Sequence, residues 1–137
     1  MIRIAICCGG GFSSSALASR MAKELKESGR DNEYSIIFRP IRELIRNHDD
    51  IDIAFLCPHL LHSAKRWLDE EPVNFPVYMI PTRIYGLMTL ETVLEDAEDI
   101  IKIFNEKHEN FAHFPNEDNP LLNKRIKSYR RTYNVTF

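Results

Sequence analysis

One stretch constrains the fold of this 137-residue chain more than any other: Ile4-Ala5-Ile6-Cys7-Cys8-Gly9-Gly10-Gly11-Phe12-Ser13-Ser14-Ser15. An apolar, β-branched run reads as a buried strand, the glycines as a loop of bare main chain, and the serines as the start of a helix. Glycine lets the backbone approach an anion closely, and the N–H groups at a helix start favour negative charge. A cysteine at the mouth of such a loop has its thiolate stabilised, which makes it a candidate nucleophile at neutral pH. The residues point to a phosphoryl group held against the sulfur of Cys8.

The rest of the chain alternates regularly around that start. Residues 2–7 read as the first strand. Helical spacing follows over 13–28, with Leu17, Met21 and Leu25 on one face, Ala18 and Ala22 beside them, and Gly29 as the stop. Residues 34–39 form the second expected strand, and Pro40 suits the first turn of a short helix that turns Ile41, Leu44 and Ile45 inward. The third strand is expected over 51–57, ended by Pro58. Leu60, Leu61, Ala64 and Leu68 then mark a helix that closes near Asp69-Glu70-Glu71. A fourth strand over 77–80 lies between Pro76 and Pro81. In the helix expected over 89–107, Leu90, Val93, Leu94, Ala97, Ile100, Ile101 and Phe104 share one stripe.

This alternation is the signature of an α/β domain with parallel strands and right-handed crossovers. The expectation is one three-layer domain, a four-stranded parallel sheet with helices on both faces. By analogy with other open sheets, its strand order is 2-1-3-4. Ligands of such sheets bind beyond the C-terminal strand ends, where the order reverses. There Cys8 at the end of the first strand and Pro58-His59 beyond the third would line one crevice. The domain is expected to span 1–107, followed by a C-terminal extension over 108–137. The extension loses periodicity and ends in a basic, aromatic run containing Lys124, Arg125, Lys127, Tyr129, Arg130, Arg131 and Tyr133. It is expected to dock on the domain or to meet a partner, with a partly ordered tail the equal alternative.

Composition removes several function classes. A formal charge of -2 gives no electrostatic basis for binding nucleic acid. The N-terminal apolar run is too short for a signal peptide, and no stretch reaches the roughly 18 apolar residues of a membrane span. Three cysteines, two of them adjacent, make no disulfide framework, so a reducing cytoplasm is expected.

These residues resemble the enzyme IIB components of the lactose/cellobiose class of sugar phosphotransferase systems. In that family a strand runs into Cys, two residues, Gly, a hydrophobic residue and a Ser/Thr-rich triplet, matched by Cys8-Gly9-Gly10-Gly11-Phe12-Ser13-Ser14-Ser15. An Asp-x-x-x-Leu-x-Pro segment is matched by Asp52 to Pro58, and a Tyr-Gly segment by Tyr85-Gly86-Leu87-Met88. The likeness covers about residues 1–107. It implies that Cys8 accepts a phosphoryl group from a phosphohistidine on a IIA partner and passes it to a sugar held by a membrane IIC permease. The resemblance implies no metal and no cofactor. The main chain of Gly9 to Ser15 would cradle the phosphate, with Ser13, Ser14 and Ser15 as hydroxyl donors. Pro58, His59, Arg83 and Tyr85 would stand at the rim, with a structural role for Arg83 and Tyr85 an equal alternative.

Departures and rivals sharpen the reading. His59 stands where family members often carry Gln, and could bond the phosphate or alter hydrolysis of the phosphocysteine. Cys7 is a second thiol, but as the last residue of the expected strand it is expected to be buried and inert. A low-molecular-weight phosphatase would need an arginine six positions after its cysteine. Six after Cys8 is Ser14, and six after Cys7 is Ser13. Arg20 lies too far along the helix to serve. A zinc site from Cys7, Cys8, Cys57, His59 and His62 lacks any C-x-x-C spacing. A sensing module that only binds a phosphate or a phosphorylated partner is the remaining alternative. Trp67 is expected to pack or to anchor partly at the surface, and His48, His108 and His113 to be solvated.

Overall fold

The computed structural model describes residues 1–8, 12–81, 88–119 and 125–137, with the main chain alone at Cys8 and at 12–15. In chain order the elements are β1 (Ile2–Cys8), α1 (Phe12–Glu27), β2 (Tyr34–Pro40), α2 (Ile41–Arg46) and β3 (Ile53–Leu56). A 3-10 turn (Pro58–Leu60), α3 (Leu61–Glu70), β4 (Val77–Met79), α4 (Leu90–Lys107) and α5 (Tyr129–Tyr133) follow. The sheet has the order β2-β1-β3-β4, and every pair is parallel.

β1 is buried on both faces, and its alternation assigns residues to two cores. Ile4 and Ile6 pack with Met21 and Leu25 of α1 and with Val93, Ala97 and Ile100 of α4. Ala5 and Cys7 pack with Leu44 of α2 and with Ala64 and Trp67 of α3. Helices therefore cover both faces, as expected. Burying each large apolar side chain contributes about 1.5–3 kcal/mol relative to exposure, which makes these two layers the main source of stability.

β3 is shorter than the apolar run implied, because both of its ends are engaged elsewhere. Asp52 turns its carboxylate onto Arg3, accepting from the Arg3 main-chain N–H at 2.8 Å and from the guanidinium at 3.0 and 3.1 Å. At the other end Cys57 leaves the strand to lead into the 3-10 turn. α4 is capped by Thr89, whose hydroxyl accepts from the Thr92 N–H, and ends on His108 in the left-handed region at φ 54°.

The described residues beyond 107 pack onto the rest of the fold, and Ala112, Phe114 and Tyr129 join the same core as Ile4 and Ile6. Ala112 N–H donates to the Val77 carbonyl at 3.1 Å, beside a parallel bridge between Tyr78 and Ala112. Asn110 uses its side chain as a substitute strand, donating to Phe75 O and accepting from Val77 N–H, both at 2.9 Å. These bonds cover the edge that β4 would otherwise present. Phe114 is fully buried and stacks on Tyr129 with centroids 4.3 Å apart. Arg125 is buried beneath them and donates to Asp96 (3.1 Å), Glu117 (2.7 Å) and the Tyr78 hydroxyl (2.6 Å). Arg130 holds Asp99 and Glu98, and Arg131 holds Glu95.

Two histidines differ from the solvated reading of their sequence context, while Trp67 packs in the core, one of its two expected roles. His48 is not solvated: its ring lies against Trp67 and Phe75, and its Nε2 is 3.3 Å from Glu71. The ring of His113 is likewise engaged, with Nδ1 2.9 Å from the Phe114 carbonyl. Trp67 is buried and donates its indole N–H to Glu71 at 3.2 Å. Local polarity in the sequence could not reveal those long-range aromatic neighbours.

Candidate functional site

The C-terminal edge of the sheet brings Cys8, Pro58 and His59 together from separate parts of the chain. Cys8 is the last residue of β1, in register with Pro40 of β2 on one side. On the other side the Cys57 N–H donates to the Cys7 carbonyl at 3.2 Å, so Pro58 and His59 begin level with the end of β1. β1 lies inside the sheet, flanked by β2 and β3, and the 3-10 turn rises directly beside it.

α1 starts at Phe12, with three residues between it and the strand end at Cys8, and runs for 16 residues. Its first turn contains no acidic side chain. The first N–H groups of an α-helix have no partner within it, so the main chain at Phe12, Ser13, Ser14 and Ser15 offers donors and a favourable dipole to an anion. Gly9, Gly10 and Gly11 lie outside the described residues. The spacing nonetheless joins the Cys8 main chain to a helix N-terminus through glycine alone.

The rim residues have different standing. Pro58 occupies the first position of the 3-10 turn and is half-buried, while His59 is exposed. Arg83 and Tyr85 lie outside the described residues. Their segment is bounded by buried Pro81 and buried Met88. Arg20 of α1 donates to the Met88 carbonyl at 2.8 Å, so the helix that begins after the cysteine also anchors the residue that ends this segment. No sequence signal identified that bond, because it joins positions 68 apart through a side chain and a main-chain oxygen.

The two other cysteines belong to the core. Cys7 and Cys57 are fully buried in the core beneath α2 and α3. His59 and His62 are exposed. Among the described residues no three His, Cys, Asp or Glu side chains stand together as a metal-binding group. The arrangement offers one cysteine at the strand end, main-chain donors beyond it, and a neighbouring turn bearing an imidazole.

A family model described as the lactose/cellobiose-specific IIB subunit of the PTS system matches residues 3–96. That span takes in β1 to β4 and the start of α4, and it ends before the extension. Among curated proteins none matches the chain. No helix among the described residues is long and apolar enough to cross a membrane.

Proposed function

The chain belongs to the lactose/cellobiose-specific IIB family and so to sugar phosphotransfer in the PTS, and from that premise we propose that it is a phosphocysteine carrier. Cys8 is the acceptor, loaded by a phosphohistidine on a IIA protein and discharged to a sugar in a membrane IIC permease. The observation that carries this reading is the place of Cys8, at the C-terminal end of an inner parallel strand and just before the N-terminus of α1.

The chemistry asks little of the protein beyond position and charge. The Cys8 thiolate attacks phosphorus, an S–P bond forms as the P–N bond breaks, and the departing imidazole of the donor takes a proton from solvent. In the second step a sugar hydroxyl attacks the same phosphorus. The S–P bond breaks, the thiolate returns, and the hydroxyl proton leaves to solvent. Both transition states carry negative charge on the phosphoryl oxygens, which the N–H groups of the loop and of α1 stabilise without a metal. Absence of an arginine six positions after Cys8 suits a group that must be handed on rather than hydrolysed.

A reconstituted relay tests this. Phosphoenolpyruvate, the general carriers, a cognate IIA protein and vesicles containing the IIC permease are expected to form sugar phosphate only when this chain is added. Cys8→Ser removes that activity and Cys7→Ser retains it. Formation of sugar phosphate with the Cys8→Ser chain would overturn the assignment.

A further inference from the structure

The charges on the α2–α3 side of the site are segregated along the helices. α3 begins at the site edge and runs away from it, and it carries no acidic residue in its first turn and no basic residue in its last. Its exposed His62, Lys65 and Arg66 come first, and its exposed Asp69 and Glu70 come last. That order opposes the helix dipole, which favours acids at the start and bases at the end. A pattern that works against local stability at a functional edge calls for a functional reason.

The other side of the edge repeats the sign. Pro40 is level with Cys8, and α2 begins immediately after it with exposed Arg42 in its first turn. Helical side chains lean toward the N-terminus, which for α2 and α3 is the site edge, and His62 and Lys65 face the flank of α3 that also holds Asn110 and Phe111. Arg39, Arg125 and Arg130 each hold a carboxylate. Among the described residues Arg42, Lys65 and Arg66 hold none, and only Glu43 on these site-end turns has the opposite sign.

Resting on the carrier reading, we propose that this basic collar, Arg42 on one flank and His62, Lys65 and Arg66 on the other, is the docking surface for an acidic face of the phosphodonor protein. The collar acts before chemistry: it raises the encounter rate and orients the donor, an effect that salt screens. Steering of this kind is worth about 10–10³ in association rate.

The test is a charge-swapped chain, Lys65→Glu, Arg66→Glu, Asp69→Lys and Glu70→Lys together. Net charge is unchanged, each i,i+4 pair keeps opposite signs in the preferred Glu-before-Lys order, and the helix now follows its dipole. Its melting temperature is expected to equal or exceed that of the parent chain. Loading of Cys8 by phosphorylated IIA, followed by rapid quench at limiting IIA, is expected to slow by about tenfold or more. The parent rate should fall steeply between low and high salt, and the swapped chain should show a much weaker dependence. Unchanged loading, or an equal salt dependence in both chains, would overturn the collar while leaving the carrier reading intact. Hydrolysis of preformed phosphocysteine that changes in proportion to loading would also overturn it, by placing the effect on the phosphoryl group. A parent chain that takes up no phosphoryl group from an active IIA would instead overturn the carrier reading itself.

Discussion

The Cys57 N–H donates to the Cys7 carbonyl at 3.2 Å, and this bond sets the turn bearing His59 beside the last residue of β1. An exposed imidazole at that place can take a proton from water that attacks a phosphocysteine. We predict that His59→Gln leaves stability within about 0.5 kcal/mol, as for most exposed positions. It should lengthen the phosphocysteine half-life roughly tenfold, below the 10²–10⁴ of a fully positioned base. The measurement is loss of label from the isolated phosphoprotein, and an unchanged half-life would remove His59 from the site.

Arg125 joins the extension to the domain through Asp96, Glu117 and the Tyr78 hydroxyl, with its side chain almost wholly buried. Removing one member of a buried charged set leaves the others uncompensated, at a cost of about 3–5 kcal/mol. Arg125→Ala should lower the urea midpoint by a corresponding amount. A loss below about 1 kcal/mol would show that the cluster does not anchor the C-terminal residues.

Asp96 gives the same cluster a pH dependence. Burial pushes its carboxyl up from 3.8 to about 6, against the opposing pull of Arg125 and the Tyr129 N–H, while Glu117 adds to the rise. The folded chain therefore binds this proton more tightly than the unfolded chain does. Its contribution to stability is full below pH 3.8, falls as pH rises to about 6, and is flat above that. Melting curves of the parent and Asp96→Asn chains should diverge across this window. Parallel pH profiles would contradict the assignment.

The extension also protects an edge. Val77 gives its N–H to Asn110 and its carbonyl to the Ala112 N–H, so both groups lose their partners if the chain ends after Lys107. Exposed strand edges pair with other chains. The truncated chain is expected to self-associate in sedimentation experiments and to melt earlier than the full chain. A monomer with the full chain's melting temperature would show that residues 1–107 need no cover.

Much of the architecture was legible because it rests on local pattern. Ile4 and Ile6 in an unbroken apolar run mark a strand covered on both faces, and Leu17, Met21 and Leu25 mark the inner face of α1. Strand ends were less legible, since the Asp52–Arg3 contact joins residues 49 apart and trims β3 at its start. The docking of the extension was least legible. It depends on ion pairs such as Arg125–Asp96 across 29 residues and on Phe114 meeting Tyr129, and neither leaves a periodic trace. At the candidate site, the strand end at Cys8 and the helix start after it were readable from glycine and serine spacing. The bond from Arg20 to Met88 and the charge order along α3 became meaningful only once the fold oriented them.

The central claim is that Cys8 carries the phosphoryl group, and intact mass with peptide mapping tests it most directly. The full chain is incubated with phosphoenolpyruvate, the general carriers and an active cognate IIA, then analysed without acid exposure. The account predicts a gain of one phosphoryl group, mapped to the peptide containing Cys8, retained in Cys7→Ser and absent in Cys8→Ser. A phosphoryl group on another residue, or none at all with a demonstrably active IIA, would contradict it.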